Sequence, residues 1–167
     1  MHRSEQTCNA ETALSDALDA IDTRILRELM ADGRQTNVAL AQRVGLSGPA
    51  CLRRVRALEE AGLVLGYYAE VDAEALGFSV TAFVAVTLHN QAEKDLRAFE
   101  NLLLKWPLVR EAHMMAGDAD YMLKVVARDL RSFQSFLIDE ISSAQNVASV
   151  KPTVAMRRAK FEAGVGL

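Results

Sequence analysis

Residues 40–64 read LAQRVGLSGPACLRRVRALEEAGLV, a stretch that gathers Arg43, Arg53, Arg54 and Arg56 with no acid between Arg43 and Glu59. The chain around it is acidic, with 19 Lys and Arg against 22 Asp and Glu and a formal net charge of −3. Spacing gives the cluster a shape. Val38, Leu40, Ala41 and Val44 recur at helical steps behind a Thr36-Asn37 cap, and Gly45 closes that pattern. Ser47 then stands as an N-cap with Pro49 in the first turn, where a missing N–H costs nothing. At about 100° per residue, a helix over 48–61 places Cys51, Leu52, Val55 and Leu58 on one side. Ala50, Arg53 and Ala57 face away, with Arg54 and Arg56 on the flanks. A short helix, a glycine-containing turn and a second amphipathic helix make a helix-turn-helix, and small residues with arginines outward suit a DNA major groove.

Working outward, Leu18, Ile21, Ile25, Leu26 and Leu29 predict a preceding helix over 18–30, ended by the Asp32-Gly33 turn. Gly62 stops the third helix, and LVLGYYAEV (63–71) reads as a strand, hairpin or wing. Beyond DAEALGF the character changes. VTAFVAVTL (80–88) is apolar and β-branched enough for a buried strand, and Leu96, Phe99, Leu102, Leu103 and Trp106 predict a helix over 92–106 that Pro107 ends. VREAHMMAG and DYMLKVVA, joined by AGDAD, predict an antiparallel hairpin. Leu130, Phe133, Phe136, Leu137 and Ile141 predict a second helix, and VASVKPTVAM a last strand whose Pro152 argues for an edge or a bulge. Strand, helix, strand, strand, helix, strand is the split βαβ, ferredoxin-like order. It covers one sheet face with helices, and the other, if apolar, finds a partner sheet, so at least a dimer is expected.

Half the 167 residues are hydrophobic, enough for a core. Charge is uneven: residues 18–68 carry seven cationic and six acidic side chains, 69–167 carry eleven and thirteen, and 1–17 supply the remaining −2. That balance argues against a protein that coats nucleic acid indiscriminately. Two cysteines, Cys8 in a polar tail and Cys51 within an apolar pattern, exclude a disulfide framework and a thiolate metal site, and point to a reducing, cytoplasmic setting. Neither a secretory signal nor an apolar stretch long enough for a membrane span is present. No nucleophile with a neighbouring base, phosphate loop or paired carboxylates stands out, so no enzyme is expected, and no cofactor. His2, His89 and His113 have no partners at metal-ligand spacing; Met114, Met115 and Met122 pack a core, an interface or an adaptable pocket, and Phe99 and Trp106 a core.

AGDADY (116–121) admits three readings. It is a hairpin turn with Gly117 at positive φ and Asp118 as its cap, a weak Asp118/Asp120 metal pair short of oxygens, or an effector site. In the third, backbone N–H groups around Gly117 hold an α-carboxylate and Asp118 pairs with an α-ammonium group.

Three separated motifs carry a resemblance. LDAIDTRILRELMADGRQTNVALAQRVGLS, CLRRVRALEEAGLVLGY and AGDADYMLKV resemble the opening helices, the recognition helix and wing, and the Gly-Asp-x-Asp-Tyr hairpin of the Lrp/AsnC, or feast/famine, transcription regulators, and the likeness runs from about Leu18 to Lys160. It implies an α+β chain: a flexible tail (1–17), a winged helix-turn-helix domain (18–68), a linker (69–78), a ferredoxin-like βαββαβ effector and assembly domain (79–160) and a C-terminal tail (161–167). The expected partners are double-stranded DNA, a small effector of the amino-acid class, and further copies of the chain as dimers assembling to octamers or similar rings. Arg53 and Arg54 are expected at base edges, Ser47 and Gly48 at the helix tip, and Arg43 and Arg56 on phosphates. Met115, Gly117, Asp118, Asp120, Tyr121 and Thr153 are expected around the effector. Architectural DNA wrapping without an effector is the first rival, and a sirohaem-decarboxylase-like enzyme on the same scaffold the second.

Overall fold

The computed structural model describes residues 18–167, so the tail, with Cys8 and His2, lies outside the described residues. By internal contacts the chain divides into two units, one of residues up to Glu70 together with Phe161–Leu167, the other Val71–Lys160.

The first unit holds three helices, α1 (Ala20–Ala31), α2 (Asn37–Val44) and α3 (Gly48–Glu60). Each begins where local chemistry favours a start. Asp19 accepts hydrogen bonds from the N–H groups of Ile21 and Asp22, and the Thr36 hydroxyl accepts one from Ala39 N. Gly45 ends α2 at φ 75°, a left-handed conformation that glycine adopts without strain. Ile25, Leu26, Leu40, Ala41, Val44, Cys51, Val55 and Leu58 form one core between the helices. Leu52 does not join them. It is 38% exposed on the face that carries Arg53, because Cys51, Val55 and Leu58 already fill the inward stripe. Residues 65–72 form no strand, so the strand read in LVLGYYAEV is not formed among the described residues. Tyr67 anchors the segment instead, its hydroxyl donating to Glu59 Oε1 at 2.9 Å while its ring lies beside Gly33.

The second unit is a four-stranded antiparallel sheet in the order β2-β3-β1-β4, made of β1 (Val80–Leu88), β2 (Val109–Met114), β3 (Tyr121–Ala127) and β4 (Val147–Val154). Helix α4 (Glu93–Leu103) follows β1, and α5 (Leu130–Phe136) follows β3. Alternation assigns the faces. Val80, Ala82, Val84, Val86 and Leu88 of β1 and Tyr121, Leu123, Val125 and Ala127 of β3 are buried with Phe99, Trp106, Phe133, Phe136 and Ile141. Thr81, Phe83, Ala85 and Thr87 face the other way, and Phe83 is 44% exposed at mid-strand. Pro152 sits on β4, an edge strand, where a missing donor is tolerated. The second helix changes character midway: after Phe136 one π-helical turn, Leu137–Ile141, follows, with Ser142 N donating to Leu137 O at 2.8 Å. That wider turn brings Ile141 into the core, while Leu130, expected inward, is 62% exposed at the helix start.

Candidate DNA-binding surface and effector hairpin

Among the described residues, no side chain caps the first donors of helix α3. Ser47 has the extended N-cap conformation, yet its hydroxyl makes no capping bond, and Pro49 stands in the first turn. The first N–H groups of the helix and the hydroxyl are therefore available to a phosphate or a base edge. Gly48 is held from behind, its carbonyl accepting from Asn37 Nδ2 at 2.9 Å, which ties the start of α3 to the start of α2.

The four arginines divide by what they touch. Arg54 Nη1 lies 2.7 Å from Asp19 Oδ2 and 2.8 Å from Asp22 Oδ1, so its charge is neutralised by the start of α1 rather than presented outward. Backbone N–H donation from Asp22, followed by the Arg54 guanidinium, holds the Asp19 carboxyl below the usual carboxylate range. Arg43 Nη1 pairs with Glu28 Oε2 at 3.0 Å. Among the described residues, Arg53 and Arg56 pair with no acid; with Pro49, Leu52, Ala57 and Glu60 they line a shallow, open depression on the outer face of α3. Spacing could identify the helix but not which flank met α1, so the Asp19–Arg54–Asp22 clamp escaped the sequence. Two acids at 19 and 22 facing an apolar stripe were the available signal.

At the other end of the chain, the β2–β3 hairpin closes with Met115 N donating to Asp120 O at 2.8 Å. Asp120 is fully engaged: Oδ2 accepts from Leu88 N and Oδ1 from Gln91 Nε2, both at 2.7 Å, fixing the end of β1 and the loop after it. Tyr121 belongs to the core. It is 2% exposed, its ring centroid lies 4.9 Å from that of Phe99, and its hydroxyl donates to Glu100 Oε1 at 3.1 Å. Burial first, then the Glu100 carboxylate, push its phenol up to about 12. Gly117 is not in the left-handed region, and a Cβ there would meet nothing within 4 Å, so sterics do not demand the glycine. Asp118 is exposed and, among the described residues, makes no hydrogen bond or ion pair; Met115 is 44% exposed beside it.

Thr153 stands apart from these. It pairs with Phe83 on the open sheet face, whereas Tyr121 pairs with Val86 on the helix-covered face. Three residues along and two strands across amounts to about 14 Å, so one chain does not bring Thr153 to the hairpin. The resemblance grouped Thr153 with the hairpin, and strand register within one chain keeps the two apart. Among the described residues no group of three or more His, Cys, Asp or Glu side chains could hold a metal ion, and no helix is long and apolar enough to cross a membrane.

Comparison with known proteins agrees with this architecture. Residues 18–64 match the model of a winged helix-turn-helix DNA-binding domain, and residues 81–165 that of the Lrp/AsnC ligand-binding domain. The chain is 52% identical over 143 residues to the leucine-responsive regulatory protein of Rhizobium meliloti (strain 1021), covering 86% of this chain and 92% of that one. It is 44% identical over 140 residues to the Bkd operon transcriptional regulator of Pseudomonas aeruginosa, covering 84% and 92%. A transcriptional regulator of Neisseria meningitidis, solved as a complex with L-Met, superposes with a TM-score of 0.85 at 32% identity, covering 90% and 97%. These relatives are regulators and not enzymes. With a helix-turn-helix at one end and a ligand-binding sheet domain at the other, the chain belongs to the Lrp/AsnC family of DNA-binding transcription regulators.

Proposed function

We propose that this regulator binds DNA with Arg53 of α3 at base edges and Arg56 on phosphate, and answers to an amino acid held at the Asp118 hairpin, controlling genes of amino-acid metabolism or transport. The observation that carries the DNA half is the outer face of α3: two arginines without acidic partners among the described residues, flanked by Pro49 and Ala57, with the non-capping hydroxyl of Ser47 at the tip. A guanidinium bidentate to guanine contributes about 1–3 kcal/mol of discrimination, too little from one helix, so a dimer on two half-sites is part of the reading. The dimer would form through the open sheet face around Phe83, and dimers would assemble further.

For the effector, Asp118 offers a free carboxylate to an α-ammonium group, beside exposed hairpin backbone and the adaptable side chain of Met115. The L-Met complex of the Neisseria relative and the name of the leucine-responsive relative support the amino-acid class. Because Thr153 lies about 14 Å from Tyr121 in one chain and Asp118 lies beyond Tyr121 in the hairpin turn, Thr153 would enter the site only from a neighbouring protomer. Ligand binding at such a boundary would shift assembly geometry, and the spacing of the recognition helices with it.

A thermal-shift screen of the twenty amino acids tests this. A ligand that binds only the folded state raises stability by about 2.7 kcal/mol at a hundredfold excess over Kd. A hit that Asp118→Ala abolishes supports the site. A hit that Asp118→Ala leaves intact places the effector elsewhere, and a blank screen removes the amino-acid class.

A further inference from the structure

Residues 161–167 are grouped by contact with the DNA-binding unit, although they follow the last strand of the ligand-binding domain. Two contacts place them on α1. Arg27 Nε donates to Leu167 O at 2.9 Å. Gly164 adopts φ 78°, and a Cβ built there would lie 2.1 Å from Met30 Sδ and 2.8 Å from Met30 Cγ. The backbone therefore passes directly against Met30, in a conformation that a side chain would strain. As a result the chain passes between the two units twice, once at Glu70–Val71 and again at Lys160–Phe161.

We propose that residues 161–167 are a strap seated on α1, a second connection through which β4 of the ligand-binding domain bears on the DNA-reading helix. The route is a series of contacts. Strand β4 ends at Val154, the chain reaches Gly164 and Leu167 on Met30 and Arg27, α1 carries Asp19 and Asp22, and these hold Arg54 of α3. Phe161 remains 53% exposed and Leu167 43%, so the strap gains little from apolar burial and belongs to the low-stability, releasable end of the structure. Its regulatory meaning rests on the ligand-responsive reading above; its docking and its effect on DNA binding do not.

The test uses the full chain, the Gly164→Ala variant and a chain truncated after Lys160, with a duplex selected by the full chain from a randomised pool. Hydrogen exchange across Ala20–Ala31 reports docking, Trp106, the single tryptophan, reports the ligand-binding domain, and titration of the duplex reports function. Both altered chains are expected to lose protection across α1 and bind the duplex more weakly, with the Trp106 unfolding transition unmoved. Unchanged α1 protection in both overturns the strap. Lost protection with unchanged duplex affinity overturns its link to DNA reading. A wild-type affinity that none of the twenty amino acids alters counts against the effector reading alone, since α1 exchange still decides whether the strap exists.

Discussion

Arg53→Ala should weaken binding to a selected duplex by about 1–3 kcal/mol while leaving the unfolding transition in place, because Arg53 is on the open face of α3 and supports no other helix. Arg56→Ala should weaken selected and random duplexes alike and lower the salt slope by about one. Arg54→Ala should behave differently, lowering thermal stability with the salt slope intact, since its guanidinium is taken by Asp19 and Asp22. Fluorescence anisotropy against salt distinguishes the three, and a reduced slope for Arg54→Ala would return that residue to the phosphates. A pH titration addresses Tyr121. Its phenol, near 10 when unfolded, rises to about 12 in the core, so the folded state retains the proton longer. Stability from this group is full below pH 10 and falls as pH rises towards about 12, by up to about 2–3 kcal/mol. Tyr121→Phe should remove that slope between pH 10 and 12 in denaturant unfolding; a slope that persists would assign it to other groups.

Capping separates two helices whose starts look alike in sequence. Thr36 caps α2 through its hydroxyl, so Thr36→Ala should cost about 1 kcal/mol of stability in urea unfolding. Ser47 holds the same position on α3 but makes no capping bond, so Ser47→Ala should leave stability nearly unchanged and reduce DNA affinity. A stability loss at Ser47 matching that at Thr36 would mean the hydroxyl caps in solution. Both serve as N-caps by residue type; only the structure shows which hydroxyl is free. Much that depends on local period or punctuation was legible in the sequence: the expected helix over 48–61 runs Gly48–Glu60, and Gly45 and Gly62 take the left-handed turns that end α2 and α3, although Gly117 does not take the positive φ expected of it. What depends on a partner element was missed. Leu52 fits the apolar stripe by angle but faces outward, Leu130 begins its helix in solvent, and no strand forms over 63–71.

At the scale of the whole molecule, the unfinished surface is the open sheet face. Register places Phe83 between Lys124 of β3 and Thr153 of β4, with Ala85 and Met122 one row along. A central phenylalanine left 44% exposed is apolar area that a second sheet would remove from water, at about 25 cal/mol per Å². The charges on that face are partly matched already. Lys124 donates to Glu111 and holds its carboxyl below the usual range, so a covering sheet would meet a neutral pair rather than an isolated charge. On the dimer proposed above, Phe83→Asp should therefore leave the buried face of β1 and the Trp106 transition intact while converting dimers to monomers in sedimentation at micromolar concentration. DNA binding should fall further than the loss of one arginine produces, because half-sites would be read singly. Unchanged sedimentation would exclude this face as the dimer interface; a monomer that still binds a palindrome with full affinity would show that pairing on DNA does not require it.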